Sequence, residues 1–559
     1  MLKMWVCAAG CAFYSWAAAA GGDLRYVFDC SHAAEHEILG TITFAAGGRS
    51  QTMLSLPNEW DGQTELYRNI QDLESATAGV TLEADGNAAE RIVRHPKSGN
   101  IQLTFHLVSD MGDKPIRETQ FNRPLIRSGY IYLLANSALP IPQLGNSPKS
   151  VEVDWRGTLS GWKMVGSFGT GLSQHGEATM EKFMSSTFYG GDLVLRASGK
   201  GGAQITVAVP KGAGFEIGPL SDMVQSIAGE ERRVWRCEPT THFAVLVVPI
   251  DDVPGNFGGE ARTNTLSLYV SRRLEKPAIT GHLIAHEMFH LWNPQRLGDF
   301  SDGKYYWFSE GFTDLYASLV LLRLKIWSLE DFLESVNGVA RSYFTSEYRN
   351  ATIERVIADR DNKEDASRLP YSQGEVIGAV WNERIFERSG GRHTLDDAMR
   401  AMLADKGASL DTSKIVAGIL AVGGGDVSSD IQRDIWQGDT IDVPQAVFGP
   451  AVEVKHDLVA LFDPGFDLDS LGQTHVFNHV DKNSAAYAAG LRDGQRWVGG
   501  GITRTPDTRT DFIVEDGSGR HQVFYYPASK EKIEVPTFSL KPGEPGRGET
   551  LKLLGVAAS

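Results

Sequence analysis

At 559 residues the chain is longer than one hydrophobic core can organise, so it divides into about three domains. Its 42% hydrophobic and 22% charged residues are those of a globular protein, and no run after the first 20 positions is apolar for the length of a membrane span. A formal charge of −16, with no Lys/Arg cluster to set against it, excludes general nucleic-acid binding.

The N-terminus has the pattern of an export signal. Lys3 supplies a short positive region, Met4 to Ala20 is mostly apolar, and small residues before the boundary suit cleavage after Ala20. Residues 1–20 are therefore set apart from the fold, and the expected location is periplasmic or secreted. Ala8-Ala9-Gly10-Cys11 faintly resembles a lipoprotein site, but the apolar stretch before it is short and lacks the usual leucine. Cys7 and Cys11 leave with the signal. Cys30 and Cys237 remain, and in an oxidising compartment they either form one disulfide or stay as two separate buried thiols.

From 21 to 225 short alternating runs recur, among them Arg25-Tyr26-Val27-Phe28, Leu39 to Phe44, Ile101 to Phe105 and Gln204 to Val209. Glycine, proline and asparagine punctuate them, which predicts a β-rich, sandwich-like domain. A second domain is expected over 226–450. It opens with two strands, Phe243 to Val248 and Leu266 to Val270, and continues as helices. The first helix is predicted from about Lys276-Pro277 to Trp292, with Pro294 barring its extension. Others are predicted over about 309–324, 329–343, 373–388, 394–405 and 411–421.

The most informative motif lies on the first of these helices: His286-Glu287-Met288-Phe289-His290. Histidines four apart project from the same helical face one turn apart and can grip one cation together. Glu287 then sits beside the open coordination position, where it can take a proton from water. His282 shares that face, but 282 and 290 lie about 12 Å apart along the axis, so one ion cannot take all three histidines. Glu310 completes a His₂Glu set for one Zn²⁺ per chain and leaves a fourth position open, as a catalytic site requires. Trp307, Phe308 and Phe312 are placed to dry the site. Asp314, one turn beyond Glu310, is either the acceptor for the free nitrogen of His286 or a solvated helix acid.

The last segment, 460–555, changes character. Val476 to Val480 reads as a strand, Ser484 to Leu491 as a short helix closed by glycine, and Arg496-Trp497-Val498, 521–526 and 532–539 as further strands.

The stretch His286 to Asn293, with Trp307-Phe308-Ser309-Glu310-Gly311-Phe312-Thr313, resembles the glycyl aminopeptidase family of zinc metallopeptidases, relatives of the aminopeptidase N clan. The resemblance implies a multidomain α+β protein: a sandwich-like N-terminal domain, a thermolysin-like, mainly helical zinc domain and a C-terminal PDZ-like module. It implies Tyr371, in Tyr371-Ser372-Gln373-Gly374, as the donor to the tetrahedral oxyanion, although Gln373 stands where the clan has lysine. The alternative is a core tyrosine. It implies Gly258-Gly259-Glu260 as the strand whose carboxylate holds the substrate's α-amine, although Ala261 and Arg262 depart from the family pattern. The alternative is an exposed turn acid. A preference for small N-terminal residues such as glycine or alanine is implied as well. Asn483 to Gly494 resembles a PDZ domain, with Gln495 for the usual aspartate and no glycine/apolar alternation near Leu471-Gly472. It is either a peptide-binding module or a packing domain.

The expected activity is thus a zinc aminopeptidase acting on exported or external peptides, with Glu287 as general base. The rivals are a zinc endopeptidase, and a peptide-binding PDZ protein with a vestigial metal site.

Overall fold

The computed structural model describes residues 23–116, 118–199, 204–213, 216–238, 242–250, 257–271, 277–298, 303–360, 362–405, 410–502 and 505–557. The signal expected at 1–20, with Cys7 and Cys11, lies outside these. The chain forms two compact units, one of residues 1–225 and 240–277, the other of 226–239 and 278–559.

The first unit is built from sheets. Leu24–Asp29, whose burial alternates residue by residue, pairs parallel with Lys149–Arg156 and antiparallel with Glu37–Ala45 in a six-stranded sheet. Its inward residues Tyr26, Phe28, Ile42, Phe105 and Trp155 share one core with Leu54 and Val93 of a four-stranded sheet, the predicted sandwich-like arrangement. A five-stranded sheet follows from Leu193–Ser198 through Gln204–Pro210, His242–Ile250 and Thr265–Ser271 to Phe257–Arg262 at its edge. Its middle three strands are parallel, so the strands of 242–271 extend the sheet begun by Gln204–Pro210. Parallel neighbours need a crossover, and helix α1 (Ile217–Trp235) supplies it.

The second unit is mainly helical: α2 (Pro277–Phe289), α3 (Gly311–Arg323), α4 (Leu329–Thr345), α5 (Glu364–Arg388), α6 (Leu395–Ala404) and α7 (Thr412–Ala421). Two of the starts are capping boxes, Ser328 with Asp331 and Thr394 with Asp397. A turn of helix at Tyr306–Ser309 precedes α3. α5 begins nine residues earlier than the sequence suggested (373 − 364) and carries Pro370 within it.

Beyond residue 450, Val452–Phe462 pairs with Ala528–Leu540, and Arg496–Gly501, Thr510–Asp516 and Gly519–Tyr525 form a three-stranded sheet. Phe466, Phe477, Leu491, Phe512 and Val514 belong to a core of this segment. The strand expected at Val476–Val480 is not formed; only Val476 bridges to Arg496. Its amides instead bond irregularly, Phe477 N to Gln495 O and Val480 N to Asp493 Oδ1. Leu471 and Gly472 lie in a helix, Leu468–Thr474, where main-chain groups are committed to the helix instead of a carboxylate loop.

Candidate metal centre and active site

Helix α2 places His286 and His290 with their Nε2 atoms 3.1 Å apart, each 3.4 Å from Oε2 of Glu310. A tetrahedral zinc with bonds of about 2.0–2.1 Å holds its ligand atoms about 3.3 Å apart. The three side chains therefore stand at the mutual spacing that one such ion imposes, and they form a metal-ligating cluster among the described residues.

The far side of each imidazole is pinned. Nδ1 of His286 donates to Asp314 Oδ1 at 2.7 Å, and Nδ1 of His290 donates to the backbone oxygen of Asn293 at 2.8 Å. With one proton committed to Nδ1, it is Nε2 that each ring can bare toward the common point once its second proton is displaced, which is the tautomer a metal needs. Asp314 is thus the acceptor, not a solvated acid.

Glu310 ends the short turn Tyr306–Ser309 and leads directly into α3. Trp307, Phe308 and Phe312 are fully buried around it. Burial alone would raise its carboxyl, but His290 and His286 outweigh that and hold it far below the ordinary range. Burial works against protonating His286 too, yet its bonds to Asp314 and Glu310 hold that ring well above the usual histidine value. His290 is raised in the same way, chiefly by Glu310. Without metal the cluster gathers positive charge from protons, so a divalent cation suits it electrostatically.

Tyr371, on α5, stacks against His286 with ring centroids 6.2 Å apart and is partly open to solvent. Its phenol is raised by burial and then by the charges of Glu310, Asp314 and Glu287, so it stays a hydrogen-bond donor. Glu287 acts electrostatically on His286, His290 and Tyr371, which puts it in the same cluster. His282 is not a ligand: it stacks on Trp327 and its Nε2 lies 3.3 Å from Ser318 Oγ.

Gly258, Gly259 and Glu260 lie in the first unit, on the edge strand Phe257–Arg262. Glu260 Oε1 accepts from Arg262 Nη1 at 2.8 Å, and Oε2 accepts from the Tyr269 hydroxyl at 3.3 Å. Arg262 is itself buried and donates to Asn136 Oδ1, and its guanidinium lies over the Trp60 ring.

The disulfide between Cys30 and Cys237 is not present; both thiols are free. Cys30 is packed inside the sandwich core, while Cys237 Sγ takes the Trp292 indole N–H at 3.3 Å.

Sequence reasoning missed Asn293. It is fully buried, and its side-chain amide donates to Phe308 O, Ser309 O and Thr313 Oγ1 while its own carbonyl holds His290. One residue therefore links the end of the histidine helix to the segment that delivers Glu310. The available signal was an amide following the apolar pair Leu291-Trp292. Glu231 on α1 and Glu375 on α5, both buried and both within electrostatic reach of His286, were missed as well.

Residues 280–363 match the family model described as M61 glycyl aminopeptidase. Among solved structures, the chain is similar to an aminopeptidase N family protein from Idiomarina loihiensis, at 14% identity and a TM-score of 0.71, covering 96% of this chain and all 100% of that one. An M1 zinc metallopeptidase from Deinococcus radiodurans aligns at 14% identity and a TM-score of 0.49, covering 76% of this chain and 96% of that one. Among curated proteins no sequence matches. The aminopeptidase N fold over nearly the whole chain, with an M61-type segment bearing a preformed His286/His290/Glu310 set, makes this protein a zinc metallopeptidase that resembles the glycyl aminopeptidases.

Proposed function

We propose that the protein removes N-terminal residues from peptides, favouring small ones such as glycine and alanine, in the periplasm or outside the cell. The observation that carries the peptidase part is the spacing of the three ligand atoms with an acid, Glu287, in the same cluster. When bound, zinc would supply Lewis-acid activation of water and of the scissile carbonyl. Glu287 then accepts the proton of the attacking water and returns it to the departing amine. The Tyr371 hydroxyl donates to the oxyanion as the carbonyl carbon becomes tetrahedral, which requires the neutral phenol that burial and the neighbouring carboxylates favour. Glu260, with Gly258 and Gly259 beside it, is assigned to the substrate's α-ammonium.

A second reading has one observation behind it. Arg262 already neutralises much of Glu260, which weakens its hold on an ammonium group and favours endopeptidase action. Zinc-loaded protein should therefore be assayed on paired peptides, free and N-acetylated, with Glu287→Gln as the blank. Cleavage confined to free N-termini supports the aminopeptidase. Equal cleavage of both forms supports the endopeptidase. Zinc binding with no turnover of either leaves a binding protein.

A further inference from the structure

Two clefts of the second unit share the first turns of α5 as a wall. Ser367, Pro370 and Tyr371 line one, of about 370 Å³, together with Glu310 of the metal set. Glu364 and Arg368 line the other, of about 620 Å³, whose remaining wall comes from the segment beyond residue 450. Glu310 and Tyr371 have places in the reaction. No residue of the second cleft does.

The second cleft is mostly apolar. Leu468, Leu471, Trp497, Ile502 and Phe512 line it, and on its α5 side Arg368 pairs with Glu364 at 2.8 Å. A chain seated there gains by burying apolar side chains, not by meeting an unbalanced charge. Gly472 belongs to the same wall, and a β-carbon there would meet no atom within 4 Å, so the cleft is open at that point. Contacts across the unit fix the two clefts relative to one another. Asn337 on α4 exchanges hydrogen bonds of 2.9 and 2.7 Å with the main chain of Phe538, and the Phe448 ring meets those of Phe332 and Phe538. Lys363, just before α5, pairs with Asp469 of the helix Leu468–Thr474.

We propose that the second cleft binds the apolar downstream part of a peptide whose first residue is being removed at the metal centre. That occupant follows from continuity: Ser367 and Arg368 are neighbours on α5 and line one cleft each. The direction rests on the aminopeptidase reading above, in which a single residue precedes the scissile bond and only the chain after it is long enough to reach. Arg368 and Glu364 lie about 4.5 and 10 Å from Tyr371 along the helix axis. An extended chain advances about 3.3 Å per residue, so about three to five residues past the bond cover that span and the width of the helix. The substrates this favours are peptides of about five residues or more, apolar near the fifth position, over dipeptides.

The test uses zinc-loaded full-length enzyme and the initial release of alanine from three amides: alanyl-alanine amide, a hexapeptide amide of four alanines followed by leucine and phenylalanine, and the same hexapeptide ending in two serines. kcat/KM should be about 10- to 100-fold higher on the apolar hexapeptide than on the other two, mainly through KM. Gly472→Tyr, which fills open space and disturbs no core, and Leu468→Ser should each bring that ratio close to one. Similar values on all three substrates, or a ratio that neither variant alters, overturn the proposal. Calorimetry of the apolar hexapeptide with zinc-loaded Glu287→Gln protein, with and without Gly472→Tyr, adds a readout free of turnover. Binding lost in Gly472→Tyr while the turnover ratio stays high would make the cleft a docking site for other chains, and overturns the proposal too. The N-acetylated hexapeptide separates the cleft from the reading it rests on. Equal, Gly472-dependent cleavage of its acetylated and free forms keeps the cleft and sinks the aminopeptidase. Release of single residues with no Gly472 dependence does the reverse.

Discussion

Gly311 and Gly374 meet backbone to backbone where α3 begins against α5. A β-carbon on Gly374 would lie 2.9 Å from Gly311 Cα, and one on Gly311 would lie 2.7 Å from Tyr371 O. This close approach sets the helix that carries Tyr371 directly against the one that follows Glu310. Gly374→Ala would set a β-carbon 1.6 Å from Trp307 O as well as 2.9 Å from Gly311 Cα, so the Tyr306–Ser309 turn and the start of α3 must move away from α5. It should destabilise the protein by about 1–3 kcal/mol in urea unfolding and lower kcat while zinc stoichiometry is retained. Unchanged stability and kcat would show that the helices do not depend on this contact.

Asp314 and His286 make the next prediction. Asp314→Asn preserves shape but replaces a charged acceptor with an amide, so His286 loses basicity and a fixed tautomer. Zinc affinity should fall about 10- to 100-fold in competition with a chromophoric chelator. An unchanged affinity would mean that the carboxylate contributes no more than packing.

Removing the reacting groups should leave the metal in place. Glu287→Gln should bind zinc at the wild-type ratio and lose about 10²- to 10⁴-fold in kcat. Tyr371→Phe should lose about 10²- to 10³-fold in kcat with KM little altered, as expected for a bond made only in the transition state. A Tyr371→Phe enzyme of full activity would return that residue to a packing role.

Asn293 provides a stability test of the site. Asn293→Asp would place a carboxylate against three oxygen acceptors, those of Phe308, Ser309 and Thr313. Zinc content after dialysis should drop, with a loss of about 1–3 kcal/mol in folding stability. Retained zinc and wild-type stability would mean that the Glu310 segment is held by other contacts.

Glu231 gives a pH signature. It is completely buried, and neither carboxylate oxygen has a hydrogen-bond partner among the described residues. Burial pushes its carboxyl well above the ordinary range. The unfolded chain ionises this group near pH 4.3 while the folded chain keeps the proton. Its contribution is therefore complete below that pH and is lost as pH rises. Glu231→Gln should be neutral at pH 4 and stabilising by on the order of 1 kcal/mol at pH 8 in thermal unfolding. A pH-independent difference would contradict the buried, protonated state.

Much of the site was legible because it obeys short-range rules. His286 and Glu287 sit on α2, His290 follows its last residue with its N–H still bonded to His286 O, and Asp314 follows Glu310 by one turn, so helical periodicity put each pair together. Other features depended on partners that periodicity does not encode. The pattern placed the start of α5 near 373, yet the chain is helical from Glu364, with Pro370 tolerated within it and Gly374 required by the contact with Gly311. Val476–Val480 has strand composition, but its amides find side-chain and loop acceptors instead of a neighbouring strand. Helix α1 was missed although Val224, Ile227, Ala228 and Val234 mark a buried stripe, because Gly218 and Pro219 interrupt its start. The Cys30–Cys237 pairing rested on a count of two, which carries no geometry.

The two imidazoles are steered by unlike partners, a side-chain carboxylate for His286 and a main-chain oxygen for His290. No codon change at position 293 deletes a peptide carbonyl, so a substitution there reaches His290 only by shifting the backbone, while one at position 314 removes the acceptor itself. A single substitution can therefore strip His286 of its acceptor outright, whereas His290 can lose its own only if the backbone at 293 moves.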